Sequence, residues 1–385
     1  MAVEDEFGIV KLSQSKIKDL EGKYTKKIED SKDSFSVYTR TYCDGFDLGL
    51  TDGAGMPQGA AISFFAEPGT GKTTVAADII KRILTIKEQN NEPYKVMYID
   101  CEGSRQLLSS MGLDKFMDSG RLMYFDNVNT FAELEELYTL TLTPEADYFK
   151  DIKLIIVDSI TAMQSKAKMN KDVDDGDYGS NAKERGNFYP KYLLRCRKAG
   201  ITSIFISQVR CNIGAGQFES KTRAATTQMD QHYMDIIVHF SKATSKQSNG
   251  IVERKIVTAT GGETTIVDRF RLTMSTDKKI CKNRFGKIPE ITMLVKPGKK
   301  IINTFTMVEL LKNLGMVTGN ASSMKPDTEL RELLGLPVDK ETGIKGKEFN
   351  KLVREHISEV RNRLIETDRF HALLEIKDAE VDGLE

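Results

Sequence analysis

At 385 residues the chain is too long for one small core and suits one large domain with appendages, or two. Lys plus Arg and Asp plus Glu both number 56, so a formal net charge of zero excludes any argument for nucleic acid from overall charge and moves it to local groups. The five cysteines (Cys43, Cys101, Cys196, Cys211, Cys281) form no CxxC pair, which excludes a disulfide framework or cysteine zinc site and reads as reduced intracellular thiols.

The start, MAVEDEFGIV, is acidic and lacks an apolar stretch with a cleavage site, and no apolar run approaches a membrane span. A cytoplasmic chain without a membrane partner is expected, or a nuclear one if the source has a nucleus. Residues 9–30 carry Val10, Ile17, Leu20 and Tyr24 at helical spacing amid charges, which predicts an amphipathic helix. With the extended DSFSVYTRTY (33–42) behind it, that helix either packs on its own core or reaches a neighbouring subunit. Both readings stand on the pattern. CDGFDLGLTDGAGMPQG (43–59) is rich in turn formers and leads into a first core strand.

Strands and helices then alternate. Ala61-Ile62-Ser63-Phe64-Phe65 is an apolar strand, Val75 to Leu84 a periodic helix, and KVMYID (95–100) and RLMYFD (121–126) two further strands. A Glu-rich helix spans Thr130 to Leu142. DIKLIIVD (151–158) has the β-branched texture of a strand buried on both faces, a basic helix covers 181–199, and ITSIFIS (201–207) is another buried strand. Such alternation predicts an α/β fold with a mostly parallel sheet flanked by helices. From 234 onward MDIIVHF, IVERKIVTA, TIVDRFRLTM and EITMLV follow without long helices between them, so an antiparallel extension is expected. After Pro297 come helices (304–314, 346–367), polar loops and an acidic end, EIKDAEVDGLE. The expected division is an N-terminal helix and arm (1–42), a core (43–297) and a small α-rich C-terminal domain (298–385).

The chemistry concentrates in AEPGTGKTT. Ala66, Glu67, Pro68, Gly69, Thr70, Gly71, Lys72, Thr73 and Thr74 stand between strand and helix, the context of a phosphate-binding loop. Backbone N–H groups curl around phosphate oxygens there, and the helix points its positive dipole end at the same anion. Lys72 then reaches the β- and γ-phosphates of ATP, and Thr73 puts its hydroxyl on Mg²⁺. The first glycine of the strict pattern is Ala66, tolerable at a strand exit. Ligands of open parallel sheets bind beyond the carboxyl ends of the strands. Asp158, closing LIIVD, is the expected Mg²⁺-side carboxylate, its plainer reading being a strand-end turn cap. Glu102 either polarises the attacking water or is a solvated loop residue. Gln208 either touches the γ-phosphate or, taken alone, is a buried turn amide.

Taken together, the phosphate loop, the strand-end Glu, LIIVDS and ISQVR resemble the RecA-type recombinases, in layout the bacterial RecA and phage UvsX groups above others. GFDLGLTDGAGMPQGAAISFFAEPGTGKTT resembles the family's approach to its nucleotide loop. VDSITAMQSKAKM is similar to its Mg²⁺ strand and first DNA loop, FISQVRCNIG to its γ-phosphate sensor and second loop, and CKNRFG (281–286) to its basic pair reaching the adjacent nucleotide. MVELLKNLGMVTG resembles, more weakly, the start of its small terminal domain. The resemblance covers roughly residues 9–370. It implies a RecA-like core and an ATP-dependent, Mg²⁺-using ATPase that forms filaments of itself on single-stranded DNA and exchanges strands with double-stranded DNA. It further implies a bacterial or phage-infected cytoplasm and a single-strand-binding protein or mediator as companion. Glu102 becomes the catalytic carboxylate, Gln208 the switch residue, and Lys282 and Arg284 donors supplied in trans. Two departures stand out. GSRQLLSSMG after Glu102 is short and offers no aromatic for the adenine, and CNIGAGQFESKTRAATTQMDQ lacks the family's paired glycines near its end.

Residues 163–180 and about 209–231 are long, apolar-poor and glycine-containing, as functional loops are. Lys166, Lys168, Arg210, Lys221 and Arg223 offer phosphate contacts and Phe218 a stacking face, with Lys183 and Arg185 extending the path on the next helix. Two other classes compete with a recombinase: a hexameric helicase of the same core, which usually carries a large N-terminal domain for which residues 1–42 are too short, and a regulator that binds ATP without turnover, against which Glu102, Asp158 and Gln208 together argue.

Overall fold

Apolar β-branched and aromatic runs decide the centre of the molecule. The computed structural model describes residues 3–4, 10–11, 37–51, 53–165, 180–211, 222–224, 228–243, 250–257, 263–275, 281–285, 290–338 and 342–366. The chain divides into two units, residues 1–37 and 38–385. In the first, β1 (Val3–Glu4) pairs antiparallel with β2 (Val10–Lys11). Val10 and Lys11, expected in a helix, are therefore in a strand, and the remainder of that expected helix lies outside the described residues.

The second unit opens with β3 (Tyr38–Thr39), which pairs antiparallel with β4 (Met56–Pro57). Between them the turn-rich stretch holds a helix, α1 (Asp44–Thr51), all eight of whose residues are buried. This corrects the expectation of turns. Tertiary packing overrides a composition poor in helix formers: Gly45 lies so close to Thr306 that a β-carbon would stand 2.1 Å from its methyl group.

Next come β5 (Ala61–Ala66), β6 (Lys95–Asp100), β7 (Leu122–Phe125), β8 (Ile152–Asp158) and β9 (Thr202–Cys211). The short β10 (Thr222–Ala224) follows, then β11 (Ile236–Lys242), β12 (Ile251–Val257), β13 (Glu263–Ser275), β14 (Lys282–Asn283), β15 (Ile291–Lys296) and β16 (Lys300–Ile301). They make one sheet in the order β16-β15-β13-β11-β5-β9-β8-β6-β7, with β10 beside β9, β12 beside β13 and β14 beside β11. From β11 through β7 the neighbours run parallel, and beyond β11 they run antiparallel. The fold is α/β, with the expected antiparallel extension.

Helices cover the sheet. The helix α2 (Lys72–Gln89) follows the phosphate loop, and the short α3 (Arg105–Ser110) and α4 (Asp114–Asp118) fill the β6–β7 connection. A capping box of Thr130 and Glu133 starts α5 (Phe131–Thr141). The long α6 (Ser180–Ala199) carries Pro190 inside it. Phe188, Tyr189 and Tyr192 of α6 join Tyr138 of α5 and Phe205 of β9 in a buried cluster behind the strands. At about 1.5–3 kcal/mol per buried large side chain, this cluster is a main anchor of the sheet. The short α7 (Gln228–Tyr233) leads into β11. Beyond β16, α8 (Asn303–Asn313) touches α1 and β15. The hairpin β17 (Val317–Asn320) with β18 (Ser323–Pro326) and the helices α9 (Thr328–Leu333), α10 (Gly346–Glu355) and α11 (Ile357–Glu366) are the last described elements, in the same unit as the sheet.

Candidate nucleotide-binding site

Parallel register brings the polar strand ends to one edge. Ala66 pairs with Gln208 across β5 and β9, Asp158 with Ile206 across β8 and β9, and Asp100 with Asp158 across β6 and β8. The loop after β5 is shaped by Gly69 (φ +69°) and Gly71 (φ +105°), conformations that a β-carbon disfavours. At Gly71 a β-carbon would also meet the Phe270 ring at 3.1 Å. Ala66 is the last residue of an extended strand, so the departure from glycine there is without cost.

Lys72 is buried, and its ammonium donates to the carbonyls of Ala66 (3.0 Å) and Glu67 (3.1 Å). Burial holds its pKa below the usual value, while the charges of Asp158 and Glu102 pull it back up. The Thr73 hydroxyl donates to Asp158 Oδ2 at 2.7 Å, and Tyr98 donates to the same oxygen at 2.6 Å. Asp158 is 1% exposed. Burial pushes its carboxyl up to about 6; those two hydrogen bonds oppose the shift and the charges of Glu102 and Asp100 add to it. The other oxygen, Asp158 Oδ1, is buried without a hydrogen-bond partner.

Glu102 is exposed, on a loop pinned by the buried Asp100. Asp100 Oδ1 accepts the backbone N–H of Glu102 (3.0 Å) and Gly103 (2.9 Å), while Oδ2 accepts from Ser104 and the Tyr124 hydroxyl. The side chain of Glu102 accepts from Gln208 Nε2 (3.0 Å) and from the Ser159 hydroxyl. Two of the sequence-derived candidates, one from the loop after β6 and one from β9, thus meet directly.

Lys72, Thr73, Glu102 and Gln208 line a cavity of ≈ 360 Å³ with Pro68, Gly69, Gly71, Thr74, Leu107, Lys242, Phe270, Pro297 and Gly298, and Asp158 stands behind Thr73. The chemistry suits a nucleotide with a divalent cation. The loop presents positive-φ glycines and a lysine, and one hydroxyl with one carboxylate suits Mg²⁺, which keeps waters and leans on phosphate oxygens. The unpartnered Asp158 Oδ1 is the acceptor such a cation or its water would satisfy.

Sequence reasoning missed Tyr98, Lys242, Phe270 and Pro297. Tyr98 had one signal, a polar-tipped aromatic inside a buried strand, since a buried Tyr hydroxyl usually has a partner. Lys242 had none: it comes level with the loop only because Ile236 to His239 pair with Ile62 to Phe65.

The basic candidates sit elsewhere. Lys282 and Asn283 pair with Ile237 and Ile236, which in turn stand beside Ser63 and Ile62, at the start of β5 and away from its phosphate-loop end. Lys282 donates to the carbonyl of Gln231 at 2.9 Å, and Arg284 to Asp235 Oδ1 at 3.0 Å. Burial and the neighbouring Arg284 hold Lys282 below its usual pKa. Neither residue lines the cavity of its own phosphate loop.

Lys183 is exposed on α6. Arg185, expected on a DNA path, is instead 5% exposed, paired with Asp230 at 3.3 Å and bonded to the carbonyl of Ile160. Its guanidinium is spent inside the fold, which corrects that expectation. Arg210 and Arg223 are register partners across β9 and β10. Lys166, Lys168, Phe218 and Lys221 lie outside the described residues.

Residues 14–260, more than half of the chain, match the family described as the RecA N-terminal domain. The chain belongs to the RecA family. It is similar to Protein RecA of a Sulfurovum species, 26% identical over 213 residues, covering 55% of this chain and 57% of that one. Protein RecA of Wolinella succinogenes is 29% identical over 170 residues, 44% of each chain, and that of a Nitratiruptor species 25% over 242 residues, 62% of this chain and 60% of that one. The matches thus span about half the length of these curated relatives. Within the family match lie the phosphate loop, Glu102, Asp158 and Gln208; Lys282 and Arg284 fall beyond it. No helix among the described residues is long and apolar enough to cross a membrane.

Proposed function

We propose that this chain is a DNA-dependent, Mg²⁺-using ATPase of recombination and repair. It assembles as a helical filament on single-stranded DNA, pairs that strand with double-stranded DNA, and works in the cytoplasm. The observation that carries this reading is the meeting of Lys72, Thr73, Asp158, Glu102 and Gln208 at one edge of the parallel sheet, in a chain of the RecA family.

The residues divide the work. Lys72 exchanges the carbonyls of Ala66 and Glu67 for β- and γ-phosphate oxygens. Thr73, donating its hydroxyl hydrogen bond to Asp158, would keep lone pairs for Mg²⁺, which when bound supplies charge neutralisation at the phosphates. Glu102 accepts the proton of the attacking water and must first leave Ser159 and Gln208. Gln208, freed, turns its amide to the γ-phosphate and relays that contact along β9 towards residues 212–221. The wall of Leu107, Phe270 and Pro297 takes the nucleobase in place of a stacking aromatic after Glu102. Lys282 and Arg284 act on the nucleotide of the next protomer. Lys166, Lys168, Lys183, Arg210, Lys221 and Arg223 contact DNA phosphates and Phe218 the bases, so affinity tolerates sequence and falls steeply with salt.

Negative-stain imaging with ATP and single-stranded DNA tests the reading. Continuous helical filaments are expected. Closed rings would instead favour a hexameric helicase, and persistent monomers a regulator.

A further inference from the structure

Asp158 is held from behind by a side chain outside the phosphate loop. Tyr98 lies two residues before Asp100 on β6, and parallel pairing puts Tyr98 beside Ile156 and Asp100 beside Asp158. The Tyr98 side chain is fully buried, and its hydroxyl donates to Asp158 Oδ2 at 2.6 Å. Thr73, from the start of α2, donates to the same oxygen at 2.7 Å. Both donors therefore converge on Oδ2, and Oδ1 is left buried and without a partner.

That asymmetry has a mechanical consequence. A carboxylate turns about its Cβ–Cγ bond, and with Thr73 as its sole donor it could follow that hydroxyl and carry Oδ1 off target. A second donor from a different element, buried in the sheet, fixes the rotation. Hydrogen bonds to a charged carboxylate are the stronger kind. Burial first, and then the charge of Asp158, raise the Tyr98 hydroxyl well above the usual tyrosine value, so it stays a neutral donor.

We propose that Tyr98 is a positioning residue for the cation of the nucleotide site: through its bond to Asp158 Oδ2 it fixes the carboxylate so that Oδ1 stays free to help hold a Mg²⁺ that Thr73 would also hold. This rests on the nucleotide reading above. Tyr98 touches neither nucleotide nor metal and acts through Asp158 alone.

Tyr124 supplies an internal comparison. Its ring stacks on that of Tyr98 (centroids 6.2 Å apart, 16° between planes), yet its hydroxyl donates to Asp100. Tyr98→Phe and Tyr124→Phe each remove one hydroxyl from the same stack, and only the first removes a bond to Asp158. The measurement is binding of a fluorescent ATP analogue to the full chain, titrated with Mg²⁺ and repeated in EDTA. Tyr98→Phe should raise the half-saturating Mg²⁺ about tenfold, the usual scale for losing a partner of a metal-side ligand. Its affinity for the analogue in EDTA should be unchanged, and Tyr124→Phe should titrate with Mg²⁺ as the wild type does. An unshifted Mg²⁺ titration in Tyr98→Phe overturns the proposal. So does equal loss of binding with and without Mg²⁺, which would mark Tyr98 as a fold residue, or an equal shift in both variants. A wild type that fails to bind the analogue at all sinks the nucleotide reading itself, and this proposal with it.

Discussion

At the carboxyl ends of the parallel strands, Lys72 rests on two loop carbonyls, Glu102 is exposed, and Asp158 keeps an oxygen without a partner. At the amino ends the polar chemistry converges on one buried carboxylate. Asp235, fully buried, accepts from Arg197 through both oxygens (2.7 and 2.8 Å), from Arg284 at 3.0 Å and from the backbone N–H of Ala61 at 3.0 Å. Lys282 beside it caps backbone carbonyls of α7. Both ends are charged, and they differ in what is left over. Bonds that carbonyls make to Lys72 can be exchanged for bonds to a ligand, whereas the bonds around the buried Asp235 tie the start of β5 to α6 and to Arg284 just after β14. The first arrangement is a site; in the second Asp235 is a rivet, beside which Lys282 is half-buried and Arg284 exposed.

The largest expected effect lies at the open end. Lys72→Ala removes the charge that answers the phosphates, so ATP binding and turnover should be lost while the thermal melt stays cooperative. Glu102→Gln should keep nucleotide binding and lose turnover by about 10²–10⁴-fold, the usual worth of a positioned base. A Lys72→Ala protein hydrolysing ATP at the wild-type rate would erase the distinction between the two ends.

At the amino ends the same kind of change should cost stability. Asp235→Ala removes the shared acceptor of two guanidiniums and of the Ala61 N–H. Water partly reaches those guanidiniums (side chains 23% and 45% exposed), so the cost should fall below the about 3–5 kcal/mol of a fully buried pair but stay measurable. The melting temperature should fall below that of Lys72→Ala protein. A melt indistinguishable from wild type would make Asp235 dispensable and the rivet a misreading.

A smaller effect sharpens the contrast between buried clusters. Asp47 on α1 is fully buried, accepts the Thr41 hydroxyl at 2.6 Å and its N–H at 3.0 Å, and has Arg40 at 3.8 Å as a counter-charge. Burial pushes its carboxyl up to about 7, with the Thr41 bonds opposing. Its folded value lies above the unfolded value of 3.8, so between these limits the native state holds a proton that the unfolded chain has lost. Asp47's contribution to stability is then greatest below pH 3.8 and declines as pH rises towards about 7. Melts across this range should show that decline in the wild type and a flatter profile in Asp47→Asn. Parallel profiles would contradict the assignment.

Much of the fold is legible in the sequence where burial on both faces demands apolar runs, as in KVMYID and LIIVD, and the site is legible where a polar residue ends such a run, as at Asp158 and Gln208. What fails to read is what depends on partners distant in the chain. The helix α1 is written in turn formers, DGFDLGLT, and exists because α8 lies against Gly45. Phe270 and Lys242 reach the cavity through strand register, and a cation over an aromatic face at 4.5 Å joins them. Arg185 reads as surface because the periodicity of a basic helix gives no hint that Asp230 waits on its buried side.

The separation of the two ends makes a claim about assembly. Lys282 cannot serve the phosphate loop of its own chain from the start of β5, so any role on ATP is across a subunit boundary. Head-to-tail contacts of that kind build open helical filaments. Lys72→Ala and Lys282→Ala proteins should each be nearly inactive alone. Mixed equally and assembled at random on single-stranded DNA, roughly a quarter of junctions join an intact phosphate loop to an intact Lys282, provided the interface is heterologous. Measuring ATPase activity of that mixture is the most direct test, and partial recovery is the predicted result. A mixture as inactive as its components, in filaments shown to be co-assembled with short intact runs, would contradict a site completed by the neighbouring protomer.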